Sequence, residues 1–362
     1  MKVVQIAHSY PPYIGGLSYV VENLSKNLAK LGFEVEVITL DVDGNLPKKE
    51  VANRITVKRF KGYAPTGGYF IPSKEFVNYV EGVNGDIVHI HNLGSISTYV
   101  AYRILRKRGL GYVLTPHQHA SGFKWHAKIL WKPYRLLAKS VVRHAVRVHA
   151  VSEYEASLIK RFYGIKPVII LNGICEDVFN YRWSPPEDSI ILTYAGRVEG
   201  YKRVDMIIDV AAILIKQGFK NVKVKIVGKG PALNKAFKKA RRLNVDLLYK
   251  PFLPREQYLK ELSNSTMYIN LSKYEAYSIV TAEALAMGIP AIIAKPWGYT
   301  LKDYGNAYIV EPNPLEVASK VLEIIENFET MPKGRSKVPT WTDVIEQIVK
   351  KLYEPIIDVY SR

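Results

Sequence analysis

The sequence predicts an α/β protein built from two doubly wound units. Three observations point there. Short apolar, strand-like runs alternate with helical segments along the chain, the pattern of parallel sheets with crossover helices. The 362 residues are too many for one ordinary core, and two domains of roughly 150–200 residues are the natural division. A polar, proline-bearing stretch, YRWSPPEDS at 181–189, interrupts the alternation near the middle.

The first unit opens with KVVQIA (2–7), a short buried-type strand. SYVVENLSKNLAKLG (18–32) repeats Val20, Val21, Leu24, Leu28 and Leu31 at helical spacing, and Gly32 stands where a C-capping glycine belongs. The next strands are EVEVITL (34–40), ITVKRF (55–60), DIVHIHN (86–92), GYVLTPH (111–117), AVRVHAVS (145–152) and PVIILNG (167–173), with a basic helix between the strands at 86–92 and 111–117. In the second unit the strands are IILTYAG (190–196), VKVKIVG (222–228), VDLLYK (245–250), MYINLS (267–272) and PAIIAK (290–295). TWTDVIEQIVKKLYEPIIDVY (340–360) reads as one long amphipathic helix with no strand after it. The expected domains are 1–180, 181–340 and a terminal helical segment, 341–362.

Composition narrows the class. Hydrophobic residues at 48% and charged residues at 23% describe a globular chain, not a disordered one. The single cysteine, Cys175, excludes an internal disulfide and suits a reducing compartment. No apolar run reaches the ~18 residues of a membrane span. MKVVQIAHSY reads as a strand and not as a signal peptide, so the expected home is the cytoplasm. The net charge of +18 suggests a polyanionic partner, whether nucleic acid, anionic lipid or phosphorylated small molecule, against a plainly solvated basic surface.

Two doubly wound units place ligands at the carboxyl ends of their strands. Candidate chemistry sits there. In HSYPPYIGGLSYVV (8–21), Gly15 and Gly16 open a helix, where bare amides and the helix dipole attract anions; a plain loop is the alternative. In TYAGRVEGYKRVDMII (193–208) a strand ends at Gly196, and Arg197 and Lys202 stand at its mouth, suited to a diphosphate or simply two surface cations. VKIVGKGPALNKA (224–236) has Gly228 and Gly230 but Leu233 where a dinucleotide fingerprint needs its third glycine, so it reads as a tight turn beside a nucleotide.

KYEAYSIVTAEALAMG (273–288) holds Glu275 just before a helix capped by Ser278, and Glu283 within it. A carboxylate accepts two hydroxyl hydrogen bonds at once, which suits vicinal diols. The alternative is two surface charges flanking a cap. His117 ends a strand and should face the ligand edge. His89 and His91 share a strand face without the companions a metal site needs, and the carboxylates of DVD (41–43) follow a strand end where chance pairs are common.

Lys124, Lys128, Lys132, Arg135, Lys139, Arg143 and Arg147 recur every three or four residues with no acid among them, and Pro133 marks an expected break. With Trp125, Trp131 and Tyr134 alongside, the stripe reads as membrane-surface binding; a solvated helix face or nucleic acid are the alternatives.

In this order, these pieces resemble the family-4 retaining glycosyltransferases with the GT-B fold. The resemblance spans almost the whole chain, from Gly15–Gly16 to the terminal helix. GRVEGYK, IVGKGP and the Glu-x7-Glu pair Glu275–Glu283 with EALAMGIPAIIA are its most specific parts. It implies two Rossmann-like domains facing a cleft, with the last helix crossing back to the first domain. The second domain would bind a nucleotide-diphosphate sugar without a required metal or other cofactor.

Arg197 and Lys202 would neutralise the departing diphosphate. Glu275 would hold sugar hydroxyls and Glu283 the ribose. The amides of Ala276, Tyr277, Ser278 and Ile279 would contact phosphate and sugar. His117 would lie near the transferred sugar and Gly16 near the diphosphate, while YKPFLP (249–254), with Phe252 and Leu253, would cradle the base. The chain departs from the family's Glu-Gly-Phe-Gly with Glu275-Ala276-Tyr277-Ser278, which bears on the choice of sugar, and Arg203 stands where a glycine is common.

The resulting expectation is a cytoplasmic, peripherally membrane-bound hexosyltransferase acting on a lipid-linked or membrane-associated acceptor. A non-catalytic nucleotide-sugar-binding subunit, a GT-B epimerase or phosphorylase, and a nucleic-acid binder are the rival readings.

Overall fold

A computed structural model describes residues 1–65, 70–118, 125–328 and 336–360, with backbone only at 125–133 and 358–360. The chain forms two compact units. One comprises Met1–Gly173 with Trp341–Arg362, the other Ile174–Thr340.

The first unit has strands β1 (Lys2–Ile6), β2 (Glu34–Asp41), β3 (Lys49–Ala52), β4 (Ile55–Tyr63), β5 (Ile71–Pro72), β6 (Ile87–His91), β7 (Val113–Thr115), β8 (Arg147–Ala150) and β9 (Val168–Ile169). They form a sheet in the order β3-β4-β2-β1-β6-β7-β8-β9, with β5 beside β4. All pairs are parallel except those of β3 and β5 with β4. Helices α1 (Gly16–Lys30), α2 (Lys74–Glu81), α3 (Ile96–Lys107), α4 (Trp125–His144) and α5 (Glu153–Tyr163) connect the strands.

Strand alternation sorts the two faces. Val4, Ile6, Val88 and Ile90 pack with Phe76, Ala101, Val141 and Ile159 from α2, α3, α4 and α5. The intervening residues face the other way, where Gln5 Nε2 donates to Ser25 of α1 at 2.7 Å. Expectation and structure differ at Pro133, because α4 runs through it without a break. Its second half is pinned by buried Ala138, Val141 and Val142, and tertiary packing outweighs the loss of one helical donor.

The second unit is an all-parallel sheet, with β10 (Ile190–Ala195), β11 (Val222–Val227), β12 (Asp246–Lys250), β13 (Met267–Asn270), β14 (Ala291–Ala294) and β15 (Ala307–Val310) in the order β12-β11-β10-β13-β14-β15. Helices α6 (Val204–Lys216), α7 (Leu233–Arg242), α8 (Arg255–Ser263), α9 (Ile279–Met287) and α10 (Pro314–Glu326) alternate with the strands. Their apolar faces meet the sheet in a core that includes Leu192, Val224, Ile226, Ile269, Ile207, Leu214 and Val321.

The last segment is helical as expected but not uniform. It runs as α11 (Trp341–Ile348), a π-helical turn at Val349–Tyr353 and α12 (Glu354–Tyr360). It belongs to the first unit, where α11 packs on α1 and the Trp341 ring lies 6.3 Å from that of Tyr19. Leu352 and Tyr353, neighbours in the π turn, are both buried.

Candidate active site

In the second unit, β10 and β13 are adjacent and parallel, so the loops leaving their carboxyl ends emerge side by side. The Lys273 amide donates to the Tyr201 carbonyl at 2.8 Å and ties the loops together. The Lys202 ammonium bonds the Glu275 carboxylate, and both side chains are largely shielded from water, 13% and 11% exposed. Arg197 is exposed, with one guanidinium nitrogen 3.2 Å from the Tyr201 hydroxyl.

Beyond Glu275 the chain enters α9 through Ser278. Its hydroxyl accepts from the Thr281 amide at 3.4 Å and from Asn270 Nδ2 at 3.0 Å. The amino end of α9 and its dipole are thereby fixed a few residues after Glu275, the partner of Lys202, an arrangement that favours anions. Tyr277 and Ser278 are buried, Ala276 and Ile279 half-buried. The Trp297 indole donates to the Ser272 carbonyl at 2.8 Å and braces the loop from behind.

Glu283 differs from Glu275. It is 1% exposed, with Oε1 accepting from Arg255 Nη1 at 2.5 Å and Oε2 from the Tyr258 hydroxyl at 2.6 Å. Burial pushes its carboxyl up, against the opposing pull of Arg255 and Tyr258. Arg255 also grips Asp177 with two nitrogens, at 3.0 and 2.9 Å. Arg255, Tyr258 and Asp177 are the members that sequence reading missed; REQY at the start of α8 was the one available signal.

The glycines divide into two kinds. A Cβ on Gly228, at φ +138°, would lie 2.0 Å from the Gly196 carbonyl oxygen, and one on Gly230 would lie 2.3 Å from that of Val198. These two let the β10 and β11 loops touch, which accounts for them without any ligand. Gly196, at φ +137°, sits in the same contact. At Gly15 and Gly16 a Cβ would meet nothing within 4 Å, so neither packing nor backbone demands glycine there. Phe252 is 58% exposed beyond the end of β12, and Leu253 is half-buried.

At the carboxyl edge of the first sheet, His117 follows β7 with φ +47°. Its Nε2 lies 3.4 Å from Nδ1 of His91. The network fixes the tautomers. His91 Nε2 donates to the Gln5 carbonyl oxygen at 3.1 Å, so its Nδ1 must accept, and His117 donates inward through Nε2. His149 Nε2 donates to the Ile170 carbonyl at 2.8 Å, and its Nδ1 accepts from Thr115. Thr115 accepts from His89 Nε2, and His89 Nδ1 accepts from Tyr353.

Burial pushes the His89 and His91 imidazoles well below their ordinary range and His149 down to about 4, so all three are neutral near pH 7. The nitrogens of His89 and His91 are engaged in hydrogen bonds. Among the described residues no His, Cys, Asp or Glu group converges as a metal site.

Glu155, which sequence reading also missed, is fully buried at the start of α5. It accepts from the Gln118 amide at 2.5 Å and the Val151 amide at 2.8 Å. It thereby anchors the residue after His117, and burial raises its carboxyl to about 7 despite those two donors. Asp41 of the DVD stretch accepts from Tyr13 and from the amides of Gly44 and Leu46, which makes it the lock of its own loop.

The basic stripe is only partly a surface feature. Lys124 lies outside the described residues, as do the side chains of Lys128 and Lys132. Arg135 is half-buried and stacks over Phe162 at 4.3 Å, Lys139 is half-buried, and Arg143 and Arg147 are exposed. Among the described residues no helix is long and apolar enough to cross a membrane.

Comparison with known proteins agrees with this layout. Residues 14–178 match the sequence model of Glycosyltransferase Family 4, and residues 179–336 that of Glycosyl transferases group 1. The chain is 23% identical over 336 residues to GDP-mannose:cellobiosyl-diphosphopolyprenol alpha-mannosyltransferase of Komagataeibacter xylinus, covering 89% of this chain and 83% of that one. It is 23% identical over 364 residues to the GDP-mannose-dependent alpha-(1-6)-phosphatidylinositol dimannoside mannosyltransferase of Mycobacterium tuberculosis, covering 94% and 93%. Among solved structures, sucrose-phosphate synthase from Thermosynechococcus elongatus superposes with a TM-score of 0.76 at 17% identity, covering 99% of this chain and 97% of that one. Two contiguous matches spanning both sheets leave one assignment: the chain belongs to the family-4, group 1 glycosyltransferases, retaining GT-B enzymes that use a nucleotide sugar.

Proposed function

We propose that the protein moves a hexose from a nucleotide-diphosphate sugar to a hydroxyl of a lipid-linked or membrane-associated acceptor, without a required metal. The observation that carries this reading is the Lys202–Glu275 pair beside the cap of α9. It sets a cation for phosphate next to a carboxylate for sugar hydroxyls at the carboxyl ends of adjacent strands.

In the reaction the bond from C1 to the diphosphate oxygen breaks. The acceptor hydroxyl oxygen bonds to C1 on the same face, and its proton passes to the departing diphosphate. Lys202 and Arg197 neutralise the charge that develops there. Glu275 accepts hydrogen bonds from sugar hydroxyls, and the amides from Ala276 to Ile279 face phosphate and sugar. Gly15 and Gly16 leave room for the diphosphate, Phe252 and Leu253 flank the base, Glu283 serves the ribose, and His117 meets the sugar. The first unit takes the acceptor.

The lipid-linked acceptor is supported by the two mannosyltransferases, whose names specify a diphosphopolyprenol and a phosphatidylinositol dimannoside substrate. Both also specify GDP-mannose, the first donor to try. The enzyme would then work as a peripheral protein on the inner face of the membrane.

The test is calorimetric titration of a panel of nucleotide sugars, led by GDP-mannose and UDP-glucose, with and without EDTA. Wild type, Lys202→Ala and Glu283→Ala are compared. The expected result is one base bound in the micromolar range, unaffected by EDTA and weakened in both variants. Binding that needs a divalent ion would overturn the metal-free reading, and wild-type affinity in Lys202→Ala would overturn the diphosphate assignment.

A further inference from the structure

Part of the second unit's positive charge is matched by ion pairs within that unit. On α7, Lys235 pairs with Asp205 of α6 at 3.0 Å and Lys239 pairs with Asp209, while buried Lys225 reaches Glu261. In the first unit, four cations share one concavity. At the end of α4 and the start of β8, a recess of about 430 Å³ is ringed by Arg143, Arg147, Lys166 and Lys351, over an apolar floor that includes Val146 and Ile165.

Among the described residues no acidic side chain lines the recess. Among the described residues none of these four cations forms an ion pair. Lys351 donates to the Gln347 side chain at 3.0 Å and Arg147 to the Val146 carbonyl at 3.4 Å, both neutral partners. Four unneutralised cations around one concavity repel each other, and an anion seated among them relieves that repulsion. The volume falls within the range of small-ligand sites.

The surface around the recess adds a second property. Leu136 is 73% exposed and lies seven residues before Arg143 on α4, hence on the same helix face. Val146 of the floor and Ile169, the neighbour of the lining residue Val168, are both exposed. Cations above an aliphatic border match a phosphate headgroup with its acyl chains, as at an interfacial surface. A nucleic-acid backbone would leave the aliphatic side chains unused.

We propose that this recess binds the phosphate-bearing headgroup of an anionic phospholipid and docks the protein on an anionic bilayer through the end of α4. The inference rests on the membrane-associated reading only for the choice of a lipid over a soluble anion. It lies at the amino ends of β8 and β9, whereas the candidate active-site residues lie at carboxyl ends of strands. It gives the expected basic stripe a definite seat: Arg143 and Arg147 from the stripe, joined by Lys166 and Lys351, which the helical pattern could not show.

The experiment is vesicle co-sedimentation of the full chain. Neutral phosphatidylcholine vesicles are compared with vesicles containing about one third phosphatidylglycerol, at low and high salt. The test variant is R143Q/R147Q/K166Q/K351Q. The control, K216Q/K220Q/K238Q/R242Q, removes the same charge from exposed positions of the second unit. A basic side chain at an anionic surface is worth roughly fivefold in partitioning, so losing even two of the four weakens binding more than about tenfold.

The expected result is salt-sensitive binding to anionic vesicles, lost in the test variant and kept within about threefold in the control, with Leu136→Ser also weakened. Equal loss in both quadruple variants would mean that net charge alone binds, and would overturn the proposal. So would equal binding to neutral vesicles, displacement from vesicles by duplex DNA, or saturable binding of inorganic phosphate without vesicle binding. Nucleotide-sugar titration of the same variants separates the two readings: the recess can fail while the donor site stands, and the reverse.

Discussion

Replacing Gly228 by alanine should damage the second unit and displace Arg197 with it. The added Cβ would lie 2.0 Å from the Gly196 oxygen and 3.0 Å from its carbonyl carbon. An ordinary carbon–oxygen contact is about 3.3 Å or longer, so the loop must shift by more than about 1 Å. Three backbone bonds resist: Gly196 to Val227, Gly228 to Lys250 and Val198 to Lys229, each 2.9 Å. Breaking one or two costs about 1 kcal/mol apiece, and holding alanine at φ +138° adds about 1–3 kcal/mol.

The total is roughly 2–5 kcal/mol, or about 4–20 °C in the melting transition of a unit this size. An ångström of displacement at Arg197 should also lower turnover by about a hundredfold. Gly16→Ala is the counterpart. Its Cβ meets nothing, and alanine at a helix start is no worse than glycine, so melting should hold or rise while turnover falls. Thermal unfolding followed by circular dichroism, beside a transfer assay, reads both. Wild-type melting of Gly228→Ala, or a lowered melting point for Gly16→Ala, would refute the division of glycines into packing and ligand-facing kinds.

Two further outcomes follow from the structure. Glu155 is raised to about 7 from its ordinary 4.5, so the folded state holds a proton that the unfolded chain has released. Its stability contribution is full below about 4.5 and declines as pH rises through 7, by up to about 3 kcal/mol; Glu155→Gln should flatten that slope in denaturant midpoints measured from pH 5 to 8, and an unchanged slope would assign the titration elsewhere. Arg203 occupies φ +53°, so Arg203→Gly should gain roughly 1 kcal/mol in urea unfolding; a loss in donor affinity alongside would mean that the arginine is kept for phosphate, and unchanged stability would mean that the turn is not strained.

Most strands were legible because parallel strands covered on both faces must be continuously apolar, as in KVVQIA and PAIIAK. The ones missed are governed by partners instead of by composition. β3, KEVA, is exposed throughout and exists because β4 offers it an edge. β5 is two residues long, and β15, AYIV, is a half-buried edge strand. The alternation in IVHIH was visible, but a polar strand face ordinarily points at water. Here it is covered by α1 and the π turn, because Gln5, Thr115 and Tyr353 bring hydrogen-bond partners from 26 to 264 residues away.

The two glutamates show how much a motif's spacing can carry. Glu275 and Glu283 have the same chemistry, stand eight apart and both read as hydroxyl holders. Their environments are set by residues outside the motif: Lys202 for one, Arg255 and Tyr258 for the other. Capacity does not separate them, since a carboxylate offers about four acceptor positions and Glu283 uses two. Access does. At 1% exposure Glu283 cannot meet a ribose hydroxyl unless a covering side chain moves, whereas Arg255, whose side chain is 33% exposed, stands nearer solvent and is held in place by Asp177. A diol approaching from solvent therefore meets the arginine first, so ribose recognition through Glu283 depends on Arg255 either yielding or sharing the contact.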